Sequence, residues 1–335
     1  MSEPTVLTIL LNFRTPDLTL KSAEAALAAM EGMAGEIVIV DNDSGDGSFA
    51  RLTAEAAGRG WTRNDRLRVV ASDRNGGFGA GMNFGMRQGL SDGRTPDFYY
   101  LLNSDAFPEA GTIRILRDFL AATPSAGMAG SYVHGTDGTP HHTAFRFPSV
   151  AGEFEGAVRT GLFTRLLRNA VVALPIPEGA TRVDWTAGAS LMLRSEMIRQ
   201  IGGFDETFFL YYEETDLCLR ASRAGWATWY VPESRIAHLG SASTGMKAWR
   251  RTPGYWFDSR RYYFTKNHGR AYAAAATLAR VSGQMLWGLR RRLQNKPQAD
   301  PDHFLRDLIV HAFGAPPPRA ATVSPVSATL VEDSK

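Results

Sequence analysis

The chain has 335 residues, 44% of them hydrophobic and 21% charged, with a formal net charge of +3 and one cysteine, Cys218. This length buries an extensive core in one large domain, or one domain with an appendage, and the balance excludes disordered and fibrous classes. A lone cysteine excludes an intramolecular disulfide and agrees with a reducing compartment. The opening Met-Ser-Glu-Pro-Thr has no basic stretch leading into an apolar one, so no signal peptide is expected.

The first half alternates short apolar strands with amphipathic helices. Val6–Leu11 reads as a buried strand, Leu18–Met30 as a helix, Glu36–Val40 as a strand and Ser48–Ala57 as a helix. Leu67–Ala71 then precedes a helix near Phe78–Leu90, and Phe98–Leu102 precedes one near Thr112–Ala121. Continuous apolar runs between helices mean parallel strands covered on both faces, hence an open, doubly wound α/β sheet. Ligands of such sheets bind beyond the carboxyl ends of the strands. Polar residues collect there: Asn12, Phe13 and Arg14; Asp41, Asn42 and Asp43; Asp73 and Asn75; Asn103, Ser104 and Asp105. Each is an ordinary turn or cap residue on its own. Four consecutive strands ending this way point to a polar ligand.

From Ser125 the pattern loosens. Ala126–Val133, Thr143–Phe147, Ala187–Arg194 and Trp226–Val231 read as strands, Glu153–Ala173 and Glu214–Ala224 as helices. The segment from Gly314 is rich in Pro, Ala, Ser and Thr and is expected to be disordered. Between Thr244 and Lys296 stand twelve Lys or Arg residues against the single acid Asp258, interleaved with Trp249, Tyr255, Trp256, Tyr262, Tyr263 and Trp287. Basic and aromatic residues together suit an anionic membrane surface. The most apolar run, Ala271–Leu289, is broken by Arg280 and falls short of the roughly 20 apolar residues a spanning helix needs. It is expected to lie on a membrane rather than cross it.

Three anchors carry chemistry. Asp105 ends the strand in Tyr99-Tyr100-Leu101-Leu102-Asn103-Ser104-Asp105, and alternation lets Asn103 and Asp105 face one cleft. A hard divalent cation on a diphosphate needs only one or two protein carboxylates, because phosphate and water complete its shell. The second anchor is Gly202-Gly203-Phe204-Asp205-Glu206 with Phe208-Phe209-Leu210-Tyr211-Tyr212-Glu213-Glu214-Thr215-Asp216. Acids at a helix start are favoured by the helix dipole alone. Beside Tyr and Phe, however, Glu213 and Glu214 are partly desolvated, which raises a carboxyl toward the range of a general base. The third is His238, which leads into Gly240-Ser241-Ala242-Ser243-Thr244.

On these anchors the chain, from about residue 5 to 245, resembles the family 2 glycosyltransferases of the GT-A fold, most closely their rhamnosyltransferase-like branch. Leu102-Asn103-Ser104-Asp105-Ala106 is similar to that branch's variant of the Asp-x-Asp metal motif, with Asn103 replacing the first acid. The Glu213-Glu214-x-Asp216-Leu217-x-x-Arg220 segment matches the family's base segment, which implies Glu214 as general base, with Glu in place of the usual Asp. The resemblance also implies a divalent metal, Mg²⁺ or Mn²⁺, on Asp105 and His238. It implies nucleotide contacts at Phe13, Asp41, Asp73, Asn75 and Asn103, and donor or acceptor contacts at Trp185, Gly188, Glu213 and Asp216. The fold it implies is a Rossmann-like, mostly parallel sheet flanked by helices. Residues 1–245 form the transferase domain, divided into nucleotide-binding (1–124) and acceptor (125–245) halves. A basic, aromatic helical extension (246–313) that associates with membrane and the tail (314–335) follow.

The activity implied is an inverting, metal-dependent transfer in surface polysaccharide synthesis. The sugar moves from a nucleotide diphosphate, with dTDP-L-rhamnose favoured over UDP-galactofuranose and UDP-hexoses. The acceptor is a glycan or a polyprenyl-pyrophosphate-linked glycan, at the inner face of a membrane on the cytoplasmic side. No nucleic-acid partner is expected, and self-association is left open. A dinucleotide-dependent oxidoreductase would place its glycine fingerprint after the first strand, where Leu11-Asn12-Phe13-Arg14-Thr15-Pro16 has none. A nucleotidyltransferase would need a glycine- and lysine-rich triphosphate loop that is missing. An inactive glycan-binding or membrane scaffold is the non-enzymatic alternative, and acceptor-dependent transfer separates the two.

Overall fold

The structure is a computed structural model and describes residues 3–240, 249–298 and 300–314. The first half is β1 (Val6–Asn12), α1 (Pro16–Ala29), β2 (Gly35–Asp41), α2 (Ser48–Gly58), β3 (Leu67–Ala71), α3 (Phe78–Arg87) and β4 (Phe98–Asn103). These four strands pair in parallel in the order β3-β2-β1-β4. Adjacent residues of β1 point to opposite faces, and Val6, Leu7, Ile9 and Leu10 are all fully buried, so both faces are covered by helices. The helix expected from Leu18 begins at Pro16, whose fixed φ and missing N–H suit the first helical position. The glycines of α3 serve packing: a Cβ on Gly81 would meet Leu11 at 2.3 Å and one on Gly85 would meet Ile9 at 2.4 Å. Their absence lets α3 press onto the sheet.

The second half is β5 (Ala106–Pro108), α4 (Thr112–Ala122), β6 (Ala126–His134), β7 (Ala144–Phe145), α5 (Val150–Val158), α6 (Gly161–Leu166), β8 (Thr181–Val183), β9 (Trp185–Thr186) and β10 (Ser190–Arg194). After them come α7 (Ser195–Ile201), α8 (Glu213–Arg223), β11 (Ala227–His238), α9 (Gly254–His268), α10 (Arg270–Leu293) and α11 (Phe304–Phe313). The sheet continues from β4 as β10-β6-β11-β5, with β8 on β11. Here it is mixed: β10 is antiparallel to both neighbours, β6 and β11 are parallel, and β5 and β8 run against β11. Strands β7 and β9 form a separate two-stranded ribbon.

Three expected elements differ. The helix expected over Glu153–Ala173 is broken, because Arg159 takes the left-handed conformation (φ 47°) and caps α5, and α6 ends at Leu166. Gly156, Thr160 and Gly161 are weak helix formers, so the apolar period alone did not hold the helix together. The strand expected over Thr143–Phe147 shrinks to two residues. Strand β11 runs on past Val231 to His238, with a register shift between Val231 and Arg235 that accommodates Pro232.

The C-terminal helices fold back onto the domain. Helix α10 lies along α5 so closely that a Cβ on Gly283 would meet the Ala157 Cβ at 2.8 Å. Helix α9 is tied to α8 through Lys266, whose ammonium bridges Asp205 at 2.8 Å and Asp216 at 2.7 Å. No helix among the described residues is long and apolar enough to cross a membrane. The polar run at 241–248 and the expected disordered segment at 315–335 lie outside the described residues.

Candidate active site

A cleft of about 950 Å³ opens at the carboxyl ends of the central strands, where an open α/β sheet places its ligands. Its floor is Asn103-Ser104-Asp105 and Ala187-Gly188-Ala189, and one wall is the start of α8. Asp105 and His238 meet there because β5 pairs against the end of β11, with Ala106 opposite His238. His238 Nε2 lies 3.1 Å from Asp105 Oδ1 and 3.4 Å from Asn103 Nδ2. One carboxylate, one imidazole and an amide form a donor set that suits a divalent ion. Among the described residues no group of three or more His, Cys, Asp or Glu could hold a metal. The set therefore fits an ion that takes the rest of its shell from phosphate oxygens and water.

The two glutamates sit in a prepared turn. Tyr211 and Tyr212 both have φ of 69°, a conformation costing roughly 1–3 kcal/mol for a non-glycine residue and concentrated at functional sites. Packing of Tyr212 against Trp256 and Tyr263, at ring distances of 6.1 and 5.4 Å, holds the turn. Glu214 accepts the Gly188 amide at 3.2 Å. A Cβ at Gly188 would meet Glu214 Oε1 at 2.7 Å and Phe78 at 3.0 Å, so a larger residue there would displace the Glu214 carboxylate. Burial pushes the Glu214 acid upward, against the hydrogen bonds from its own backbone and Gly188. Glu213 is more extreme: only 2% exposed, with Oε2 lacking a hydrogen-bond partner. Burial first, then the adjacent Glu214, drives its acid well above the usual carboxylate range and favours the protonated form.

Other residues singled out by sequence divide clearly. Phe13, Asn75, Asn103, Trp185, Gly188 and Glu213 line the cleft with Glu214, Asp105 and His238. Trp185 is stacked on Phe145 at 4.1 Å. Asn75 accepts the Asn42 amide at 3.1 Å, and its loop is docked on the strained turn's approach, where Phe78 N donates to Phe209 O at 3.2 Å. Asp41 does not line the cleft: it is 4% exposed, its carboxylate bound by Asn12 Nδ2 and Ser44 Oγ, both at 2.6 Å. Asp73 is exposed on the β3 loop and also outside the lining. Asp216 is fully buried and faces away from the cleft, clamped by Arg220 at 2.9 Å, Lys266 at 2.7 Å and Asn267 at 2.9 Å. Charge and spacing could not distinguish this internal ion cluster from a ligand contact. The Gly-Gly-Phe segment is likewise structural, with Phe204 N and O both bonded to the Asn83 side chain.

Two polar strand-end residues to which the sequence assigned no role line the cleft, and one wall was not anticipated. Asn42 and Ser104 line the cleft beside the expected residues, and the polar strand ends were their signal. The far wall, from α5, α9 and α10, brings in Glu153, Trp256 and Arg280, whose meeting has no local signal.

A family model described as "Glycosyltransferase like family 2" matches residues 4–261. An N-acetylglucosaminyl-diphospho-decaprenol L-rhamnosyltransferase of Mycobacterium tuberculosis is 30% identical over 216 residues, covering 62% of this chain and 68% of that protein. Rhamnosyltransferase WbbL of Escherichia coli K12 is 43% identical over 58 residues, covering 17% and 22%. Among solved structures, a mannosyltransferase from Pyrobaculum calidifontis in complex with GDP-Man and Mn²⁺ superposes with a TM-score of 0.55 at 14% identity. That match covers 90% of this chain and 77% of the other. At that identity the likeness speaks for the fold, which is GT-A.

Proposed function

The chain belongs to glycosyltransferase family 2, and we propose that it transfers a sugar with inversion from a nucleotide diphosphate to a hydroxyl of a lipid-linked glycan. One observation carries the reading: the Asp105–His238 pair and the Glu214 carboxylate open onto the same cleft. Asn103, Asp105 and His238 would hold Mg²⁺ or Mn²⁺ on the donor diphosphate, and the ion would supply charge stabilisation to the leaving group. Phe13, Asn42 and Asn75 sit where the nucleoside would lie. Glu214, raised by burial and held toward the cleft by the Gly188 amide, takes the proton from the acceptor hydroxyl. No protein nucleophile is assigned, so a single displacement inverts the anomeric carbon.

The relatives named as rhamnosyltransferases favour dTDP-L-rhamnose over UDP-galactofuranose and UDP-hexoses, and one relative's name favours a sugar on a polyprenyl diphosphate as acceptor. In this reading residues 1–124 hold the nucleotide, and residues 125–245 with helices α9, α10 and α11 shape the acceptor side. The protein works at the cytoplasmic face of a membrane. Three of the six aromatic residues expected to touch that membrane turn inward: Tyr263 is buried, and Tyr255 and Trp256 line the cleft. The exposed apolar face of α10 is aliphatic, formed by Leu278, Met285, Leu289 and Leu293 beside Arg292. That face is the membrane contact in this proposal. A panel of nucleotide sugars, each with Mg²⁺ or Mn²⁺ and a polyprenyl-diphosphate-linked acceptor, tests the function. Transfer from dTDP-L-rhamnose with inverted anomeric configuration by NMR is expected. Retention of configuration, or equal turnover in EDTA, would overturn the mechanism.

A further inference from the structure

The cleft is larger than a donor needs. Its volume of about 950 Å³ is near the top of the roughly 300–1,000 Å³ range for small-molecule sites. Beyond Glu214 it continues as an arm between α5, α9 and α10, lined by Gly152, Gly156, Val171, Val172, Trp256 and Arg280. The lining is mostly apolar, and Gly156 leaves it wide, since a Cβ there would meet nothing within 4 Å.

One charge at its wall is not balanced. Arg260 is 2% exposed and grips Glu153 Oε2 with Nη2 at 2.8 Å and Nε at 3.1 Å. Arg280 reaches the same oxygen only at 3.5 Å. Two guanidinium groups thus share one carboxylate, a surplus of one positive charge in a largely buried cluster. Arg280 Nε is buried without a hydrogen-bond partner among the described residues, while its guanidinium lies over Trp256 and Phe304 at 5.8 and 5.3 Å. The other acid of the arm, Glu155, keeps its charge while accepting the Thr164 hydroxyl at 2.6 Å, so the surplus is that of the Glu153–Arg260–Arg280 cluster alone. A partly desolvated surplus cation is costly in proportion to its burial until an anion reaches it. Tyr212 joins this cluster to the reaction centre: it directly precedes Glu213, and its ring lies 6.1 Å from Trp256.

We propose that this arm binds the diphosphate and the first isoprenoid units of the acceptor, with Arg280 receiving the diphosphate and the Gly152–Gly156 face of α5 receiving the chain. The inference rests on the transferase reading above and adds the site that would select a lipid-linked over a soluble acceptor. Arginine suits the task, since its planar fork pairs with phosphate oxygens through two donors.

Calorimetry in EDTA with the full chain tests it, using farnesyl diphosphate, farnesol and inorganic pyrophosphate as probes; chelation keeps a diphosphate from binding through metal. Farnesyl diphosphate is expected to bind at least tenfold more tightly than either fragment. Arg280→Gln should weaken it at least tenfold, and Arg280→Lys less. Gly156→Trp, whose Cβ would meet nothing within 4 Å, places an indole in the arm and removes a weak helix former; it should weaken binding as much while keeping the melting temperature. In transfer assays Arg280→Gln should raise KM for the lipid acceptor more than it lowers kcat. Unchanged affinity in both Arg280→Gln and Gly156→Trp, or inorganic pyrophosphate binding as tightly as farnesyl diphosphate, would overturn the proposal. Binding of dTDP with Mn²⁺ to the wild type is read separately: its absence would sink the donor reading and leave the lipid measurement standing.

Discussion

The two sides of the cleft are built on different principles. The side that the proposal gives to the donor, here called the donor side, is a row of polar residues at the ends of neighbouring strands, each delivered by its own short loop. Its carboxylates either line the cleft, as Asp105 does beside His238, or lie outside the lining, as Asp41 does with Asn12 and Ser44 on its oxygens. The far side is built from helices distant in sequence, α5 with α9 and α10, and is joined by charge across 107 residues between Glu153 and Arg260. Polar groups on the first side are arranged by strand register, and on the second by packing and ion pairing. Damage should therefore remain local on the donor side and spread on the other.

The largest expected effect is on the donor side. Asp105→Ala should abolish transfer and greatly weaken metal-dependent nucleotide binding while leaving the melting temperature near that of the wild type, with His238→Ala impairing both less completely. Near wild-type transfer by Asp105→Ala, with metal still required, would refute that assignment. On the far side, Glu153→Ala strands the buried Arg260 guanidinium and takes the half-buried Arg280's carboxylate neighbour away. Removing one partner of a buried pair costs about 3–5 kcal/mol, so urea unfolding should register a loss of that order. A loss below about 1 kcal/mol would mean the far wall is not held by charge.

Glu214→Gln keeps the side chain's size and removes its basicity, so turnover should fall roughly a hundredfold or more while nucleotide binding survives. Because burial raises the Glu214 acid, the acidic limb of kcat in the wild type should lie above the ordinary carboxylate range. If Glu213→Gln rather than Glu214→Gln abolishes turnover, the base is displaced by one residue.

Smaller effects separate surface from interior. Replacing Leu278, Met285, Leu289 and Leu293 together by Ser should abolish co-sedimentation with anionic liposomes. Raising salt should weaken wild-type binding only in part, each basic residue near the surface contributing about 1 kcal/mol. Equal binding by both proteins would show that the face is merely solvated. The smallest effect concerns Glu213. Its folded-state acid is raised, so the folded protein holds more protons than the unfolded one, and stability declines as pH climbs through and above the ordinary carboxylate range. Glu213→Gln removes that decline. Its melting temperature should exceed the wild type's at neutral pH, and the difference should vanish in acid.

Much of the donor side was legible in the sequence because parallel strands and their loops are local. The runs at Val6–Leu11, Phe98–Leu102 and Glu36–Val40 all lie within strands of the sheet, and Asp105, Asn103 and Asn75 line the cleft at their ends. Asp216 shows where that legibility stopped. An acid two residues beyond Glu214 is indistinguishable in sequence from a ligand contact, yet helical geometry turns it inward to Lys266 and Arg220. The basic content of 244–296 misled in the same way. Arg260 is spent on Glu153 and Lys266 on Asp205 and Asp216, so less of that charge faces outward than a count implies.

Period and composition by themselves determined the α/β class, the parallel half-sheet and the carboxyl-end placement of the cleft, since each follows from the alternation of apolar runs with amphipathic helices. The acids at Glu213-Glu214 also marked the start of α8, while the left-handed turn that precedes them left no sign in the sequence. Tertiary structure alone decided which acids face the cleft, that His238 lies against Asp105 and that Arg280 meets Glu153. Those outcomes depend on β5 pairing with β11 and on α10 packing along α5. Contacts separated by more than a hundred residues leave no period in the chain, because neither partner's neighbours are constrained to reveal the other.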